Sequence, residues 1–178
     1  MKKVNSLKKF KYKVAAFYNF ISIIDEEILL IKKELTNLAT NQKIKGTILL
    51  ASEGVNGKIC GTENAIVQFI ETLEKLLKLS DINVKYSWSE KQAFRRFKAR
   101  KKKEIVTIGL KEINPTKSVG KYIKAGEWNK FLEDPDSVVI YTRNEYEIKI
   151  GNFAGALNPQ TSSFREFPAW VQKYLKPL

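Results

Sequence analysis

The chain has 178 residues, 43 % of them hydrophobic and 29 % charged, with 32 basic against 19 acidic side chains and a formal charge of +13. It contains no histidine and a single cysteine, Cys60. Within these residues that excludes a Ser-His-Asp triad, a Cys-His dyad, a histidine general base, a Cys-rich zinc site, an iron–sulfur cluster and an internal disulfide. The length predicts one or two domains with a sizeable core. One cysteine suits a reducing cytosol, no apolar run approaches the roughly 18 residues of a membrane span, and the basic N-terminus lacks the apolar stretch of a signal peptide. The expected setting is therefore cytoplasmic, with no membrane partner.

The first 13 residues hold six lysines and no acid, so residues 1–12 read as a basic arm. Val14–Phe20 is β-branched and aromatic, a strand signature. Asp25 is placed as a helix N-cap, followed by Ile28, Leu29, Ile31, Leu35 and Leu38 at helical spacing. Lys45–Ala51 and Lys58–Gly61 read as strands joined by a turn at Glu53-Gly54-Val55-Asn56-Gly57, where glycine and asparagine tolerate positive φ. A second amphipathic helix, capped by Thr62, carries Ala65, Ile66, Phe69, Ile70, Leu73, Leu76 and Leu77. Asn83–Trp88 is a fourth strand, and Ile105–Ile108 a further one. The order β-α-β-β-α-β is the ferredoxin-like pattern, with Ile28, Leu35, Ile66, Phe69 and Leu73 expected against one sheet face.

Asn114-Pro115, within the looser segment Lys111–Ser118, marks a boundary. The domains are set at 13–112 and 113–178. In the second, Tyr122-Ile123 reads as a short strand and Trp128, Phe131 and Leu132 lie on a helix. After the turn Asp134-Pro135-Asp136, the apolar run Val138–Tyr141 has the character of a buried parallel strand. A short helix, a glycine turn, a short strand at Ala156-Leu157 and a helix over about Glu166–Tyr174 complete the pattern.

The densest chemical signal is the run Arg95, Arg96, Lys98, Arg100, Lys101, Lys102 and Lys103. Basic side chains at this density neutralise phosphates and release counterions, and Phe94 and Phe97 offer stacking faces. The alternative is a solvated edge strand whose lysines block unwanted pairing. Gly54-Val55-Asn56-Gly57 has the spacing of a backbone-clamping GxxG loop, but strands flank it and a turn is expected. Gly57-Lys58 is not a Walker A end, because Ser52 stands where the first glycine belongs. Cys60, between Ile59 and Gly61, reads as a small buried hydrophobe. Arg143, at the end of the Val138–Tyr141 strand, sits where open α/β sheets place ligands, although pairing with Glu145 or Glu147 is the plainer outcome.

The stretch from Val138 to Pro159 resembles the first half of a rhodanese domain. With Gly46–Gly57, Lys98–Thr107, Thr142–Glu147 and Phe164–Gln172, the chain resembles the rhodanese-related family of bacterial tRNA uridine-34 hydroxylases from about residue 14 onward. The resemblance implies an α+β architecture, a ferredoxin-like (acylphosphatase-like) domain followed by an incomplete α/β rhodanese-like domain. It also implies formation of 5-hydroxyuridine at the tRNA wobble position, with molecular oxygen as co-substrate and no cofactor evident in the chain. The basic run is then a tRNA-binding element and Arg143 a rhodanese-pocket candidate. Tyr141 stands where the family has Asp, and Asn152 where many rhodaneses carry His. The family's Cys-Thr-Gly-Gly-Ile-Arg-Cys active-site loop is expected beyond Leu178, so no catalytic residue is assigned, and Cys60 does not align with it. Of the five parallel rhodanese strands, ordered 3-2-4-5-1, only the first three are expected. The chain is accordingly read as a fragment or split product that could pair with a separately encoded rhodanese half. The alternatives are a non-catalytic basic RNA-binding module or a decaying remnant.

Overall fold

The computed structural model describes residues 11–110, 120–143 and 145–175. Most of the basic arm, and the boundary segment with Asn114-Pro115, lie outside the described residues. By its internal contacts the chain divides into two units, Met1–Val106 and Thr107–Leu178.

The first unit is built from β1 (Tyr12–Phe20), α1 (Asp25–Asn41), β2 (Lys45–Ala51), β3 (Gly54–Gly61), α2 (Glu63–Leu77), β4 (Val84–Ser89) and β5 (Phe97–Lys101). The sheet order is β4-β1-β3-β2-β5. The first four strands pair antiparallel, and β5 adds to β2 in parallel. This is the expected split βαβ arrangement with one strand added at an edge. The apolar stripe of α1 (Ile28, Ile31, Leu35, Ala39) and that of α2 (Ala65, Ile66, Phe69, Ile70, Leu73, Leu77) are buried. They close on Ala15, Phe17, Ile48, Leu50, Val55 and Ile59 of the sheet, forming one cluster. All five core positions expected from the sequence lie in it, whereas Leu29 is 59 % exposed.

Several local expectations are corrected. The residue before α1 is Ile24, which supplies no side-chain cap, and Asp25 lies in the first turn with Glu26 and Glu27, where the helix dipole favours anions. Thr62 does precede α2 but makes no side-chain capping bond. The β2–β3 reversal uses Ser52 and Glu53, and Gly54–Gly57 is already strand. Gly54 is required by crowding: at its φ of +145° a Cβ would sit 2.1 Å from the Asn19 carbonyl oxygen of β1. At Gly57 a Cβ would meet the Phe17 ring at 2.6 Å. The fifth strand is Phe97–Lys101 rather than Ile105–Ile108. Ile105 instead folds back as a buried loop residue, held by its N–H to Glu53 Oε1 at 2.6 Å and its carbonyl to Asn56 Nδ2 at 3.0 Å.

In the second unit a 3-10 turn (Ala125–Glu127) runs into α3 (Trp128–Glu133), followed by α4 (Glu145–Ile150) and, after a second 3-10 turn, α5 (Phe167–Tyr174). The expected strands Val138–Tyr141 and Ala156-Leu157 reduce to one parallel bridge, Ile140 with Leu157. It is carried by Leu157 N–H to the Val139 carbonyl at 2.8 Å and Tyr141 N–H to the Leu157 carbonyl at 2.9 Å. Tyr122-Ile123 forms no strand. A parallel rhodanese-like sheet is therefore not seen among the described residues. Packing here is aromatic: Trp128 stacks on Phe153 at 5.1 Å, and Phe164 of the second 3-10 turn is followed by Phe167, Trp170 and Tyr174 of α5 at 5.5–5.9 Å. No helix among the described residues is long and apolar enough to cross a membrane.

Among the described residues the buried hydrophobic core lies in the first unit, and this has a measurable consequence. Phe69→Ala should cost about 3–5 kcal/mol of stability, because a fully buried aromatic leaves a cavity. Val138→Ala, at a position 59 % exposed, should stay within about 0.5 kcal/mol. Denaturant titrations followed by circular dichroism compare the two, and similar midpoint shifts would contradict this division of the core.

Candidate nucleic-acid interface

Strand alternation and register decide where the basic run points. Phe97 meets Phe69 of α2 edge-on at 5.9 Å, and Lys101 pairs with Asp25 of α1. Residues 97, 99 and 101 therefore face the helices. Lys98 and Arg100 face the opposite, helix-free side of the sheet. Arg95 and Arg96 are exposed just before the strand, and Lys102 and Lys103 just after it. Lys102 continues the ladder through its N–H to the Leu50 carbonyl at 2.8 Å. The run is thus both an edge strand and a cationic rim. Two residues of this stretch leave the shared face: Phe97 is packed against the core rather than available for stacking, and Lys101 pairs on the helix side.

The electrostatics differ between the two faces. On the helix side Lys13 lies 3.0 Å from Glu63 Oε1 and over the rings of Tyr86 and Trp88 at 4.5 and 5.4 Å. On the open side Lys98 has like charges for neighbours. Arg96 holds its pKa below the usual lysine value, with desolvation and then Arg100 contributing in the same direction.

Register also brings to Lys98 two lysines that the sequence pattern alone does not single out. Lys98 is opposite Thr47, Thr47 opposite Lys58, Lys58 opposite Ala16, and Ala16 opposite Lys85. Lys58 and Lys85 are exposed. Their only sequence signal is a polar residue at an alternating position within an otherwise strand-like segment, and that does not reveal which strands become neighbours.

The remaining candidates are placed as follows. Cys60 is fully buried on the open side of β3, beneath Gln92 and Ala93: Gln92 Nε2 donates to its carbonyl at 3.2 Å, and the Ala93 N–H approaches its Sγ at 3.5 Å. The GxxG residues are strand and form no clamp loop. Arg143 donates through Nη1 to Glu147 Oε1 at 2.7 Å, an (i, i+4) ion pair, and its side chain is 63 % exposed. A cavity in that unit is walled by Leu132, Ser137, Val138, Val139, Gly155 and Leu157, without Arg143. Among the described residues no cluster of carboxylates or cysteine is arranged to hold a metal ion.

Comparison with known proteins adds to this geometry. The chain is 93 % identical over all its 178 residues to the tRNA uridine(34) hydroxylase of Prochlorococcus marinus strain NATL2A, of which it covers 56 %. It is 48 % identical over 170 residues to the protein of the same name from Synechococcus sp. strain CC9605, covering 93 % of this chain and 52 % of that one. The chain thus spans about half the length of the curated relatives it matches. Among solved structures, an acylphosphatase from Coxiella burnetii superposes with a TM-score of 0.38 at 15 % identity, covering 52 % of this chain and 96 % of that one. The UPF0176 acylphosphatase like domain matches residues 12–105, the span of the five-stranded unit, and the chain belongs to that family.

Proposed function

We propose that this chain is the RNA-facing part of a tRNA uridine-34 hydroxylase that forms 5-hydroxyuridine with molecular oxygen as co-substrate. The observation that carries this reading is the 93 % identity, along the whole chain, to a protein bearing that name. The basic rim supports it, since cations held on a rigid strand edge suit a polyanionic substrate. The second unit is read, by its resemblance to the first half of a rhodanese domain, as part of the catalytic half, with Arg143 following its bridge segment. The 178 residues contain no Cys-Thr-Gly-Gly-Ile-Arg-Cys segment, and Cys60 is buried beneath Gln92 and Ala93. What these residues contribute is therefore RNA positioning rather than thiol chemistry. The setting we assign is the cytoplasm, where the substrate is.

Disruption of the coding sequence in the source cells should abolish 5-hydroxyuridine at the wobble position, as read by nucleoside mass spectrometry of purified tRNA. Complementation with the intact reading frame should restore it. Retention of the modified nucleoside after disruption would overturn the assignment.

Four simultaneous phosphate contacts to a single-stranded segment imply a log–log salt slope of roughly −3. Replacing Lys98, Arg100 and Lys102 with Ala should weaken tRNA binding across sequences and shrink the slope by about 2, with little effect on specificity, because phosphate contacts position without reading bases. An unchanged slope would leave the run as a solvated edge.

Lys98 offers a separate readout. Its pKa is lowered first by the charge of Arg96, and a phosphate placed beside it favours the charged form. Its ammonium should therefore titrate at higher pH when RNA is bound than when the protein is free, as followed by NMR of isotope-labelled lysine. A downward or absent shift counts against contact at this position.

A further inference from the structure

We propose that RNA does not stop at the β5 edge but crosses the helix-free face of the sheet, its single-stranded backbone following the transverse row Lys98–Thr47–Lys58–Ala16–Lys85. This path rests on the tRNA reading above and extends it to the course of the substrate over the first unit.

Register supplies the line. The row runs through all five strands, and its members are direct neighbours across each pairing. Strands in a sheet lie about 4.8 Å apart, so Lys98, Lys58 and Lys85 stand on alternate strands at intervals of roughly 9–10 Å. A lysine ammonium on its flexible stem reaches several ångströms to either side, so these three positions form a continuous cationic line. The residues between them, Thr47 and Ala16, are small. The backbone of a ligand can settle toward the sheet there, with an ammonium on each flank.

Covered positions on β3 and β1 flank that line. Toward one end of β3, Cys60 is fully buried under Gln92 and Ala93, and its β1 neighbour Val14 is nearly so. Toward the other, Asn56 is bonded to the Ile105 carbonyl, and Ile105 is itself buried. Cys60 and Asn56 are four residues apart on one strand, about 14 Å between backbones, and the covering segments narrow that space further. The lysine row therefore crosses β3 in a gap between two covered positions, with Lys58 exposed between them. A gap of about 14 Å or less between those positions suits a single strand.

Charge selects what lies along the row. None of Lys58, Lys85 and Lys98 is ion-paired among the described residues, while Lys13 and Lys101 on the helix side are. Unpaired cations in a line complement a polyanion. The row itself holds no aromatic ring, which fits backbone tracking rather than base stacking.

The test uses the purified 178-residue protein, with an oligouridylate and a tRNA transcript as probes. The double variant Lys58→Ala/Lys85→Ala leaves the β5 run intact and should reduce the oligouridylate salt slope by about 1.4, at 0.7 per phosphate contact. Lys58→Arg/Lys85→Arg should keep the slope, and circular dichroism should show both variants folded. Photocrosslinking with 4-thiouridine-substituted oligonucleotide should label peptides from β1 and β3 as well as the β5 region. If the Ala double variant keeps the wild-type slope while the Lys98/Arg100/Lys102 variant lowers it, RNA stays at the edge. The path is then wrong, though the tRNA reading stands. Crosslinks confined to residues 95–103 would likewise hold the RNA to the edge and overturn the path. If neither variant changes the slope, both the path and the RNA-contact reading of this unit fall.

Discussion

Both long helices of the first unit pack on one side of its sheet, and from that one-sided burial the rest follows. A sheet with one face in the core must alternate along every strand. The apolar members of β1, β2 and β3, such as Phe17, Ile48 and Ile59, point to the helices, and what lies between them falls on the opposite face. Register is then fixed strongly, because a slip of one residue would exchange the faces of an entire strand. The placement of Lys58 beside Thr47 and Ala16 is therefore as firmly determined as the placement of Ile59 in the core. A charged surface row inherits the rigidity of the hydrophobic packing behind it.

Close strand approach strengthens that constraint. Gly54 and Gly57 remove side chains where β1 presses on β3, and Gly46 does the same where a Cβ would lie 2.2 Å from the Lys58 carbonyl oxygen. At Gly46 the backbone next to Lys58 is met by β2 with nothing between them. Glycines that look like turn formers in the sequence, Gly54 and Gly57, are thus packing devices in the sheet. Gly57 makes its room on the core side, against Phe17 and Ile48.

Most of the first unit is legible in the sequence because its signals there are local and mutually consistent. Lys45–Ala51 has a continuous strand character and is strand over that whole range, and the stripes of α1 and α2 predict their buried faces. Misplacement occurs where local preference and tertiary context disagree. Ile105 and Val106 have the β-branched character of a strand, yet Ile105 is used as a plug over Asn56. Lys and Arg are poor strand signals, yet Phe97–Lys101 pairs with β2 because Phe97 and Ala99 give it an apolar face. In the second unit Val138–Tyr141 has strand composition but finds one bridging partner. The lysine row is illegible for another reason: Lys58, Lys85 and Lys98 come from three separate elements, and only the pairing of five strands aligns them.

The distribution of ion pairs bears on what the positive charge is for. Lys13–Glu63, Lys78–Glu27 and Lys101–Asp25 all lie on the helix side. Exposed pairs of this kind contribute about 1 kcal/mol or less each, but they neutralise. Among the described residues Lys58, Lys85 and Lys98 on the open side have no such partner, and the charge of Arg96 is the first cause of the lowered pKa of Lys98. Such a cluster works slightly against the free fold and is relieved when an anion arrives, so the same repulsion that opposes the empty state favours the bound one. Lys58, Lys85 and Lys98 stand on a face whose register is fixed by the core behind it, so their spacing is set by the packing and not by what they meet.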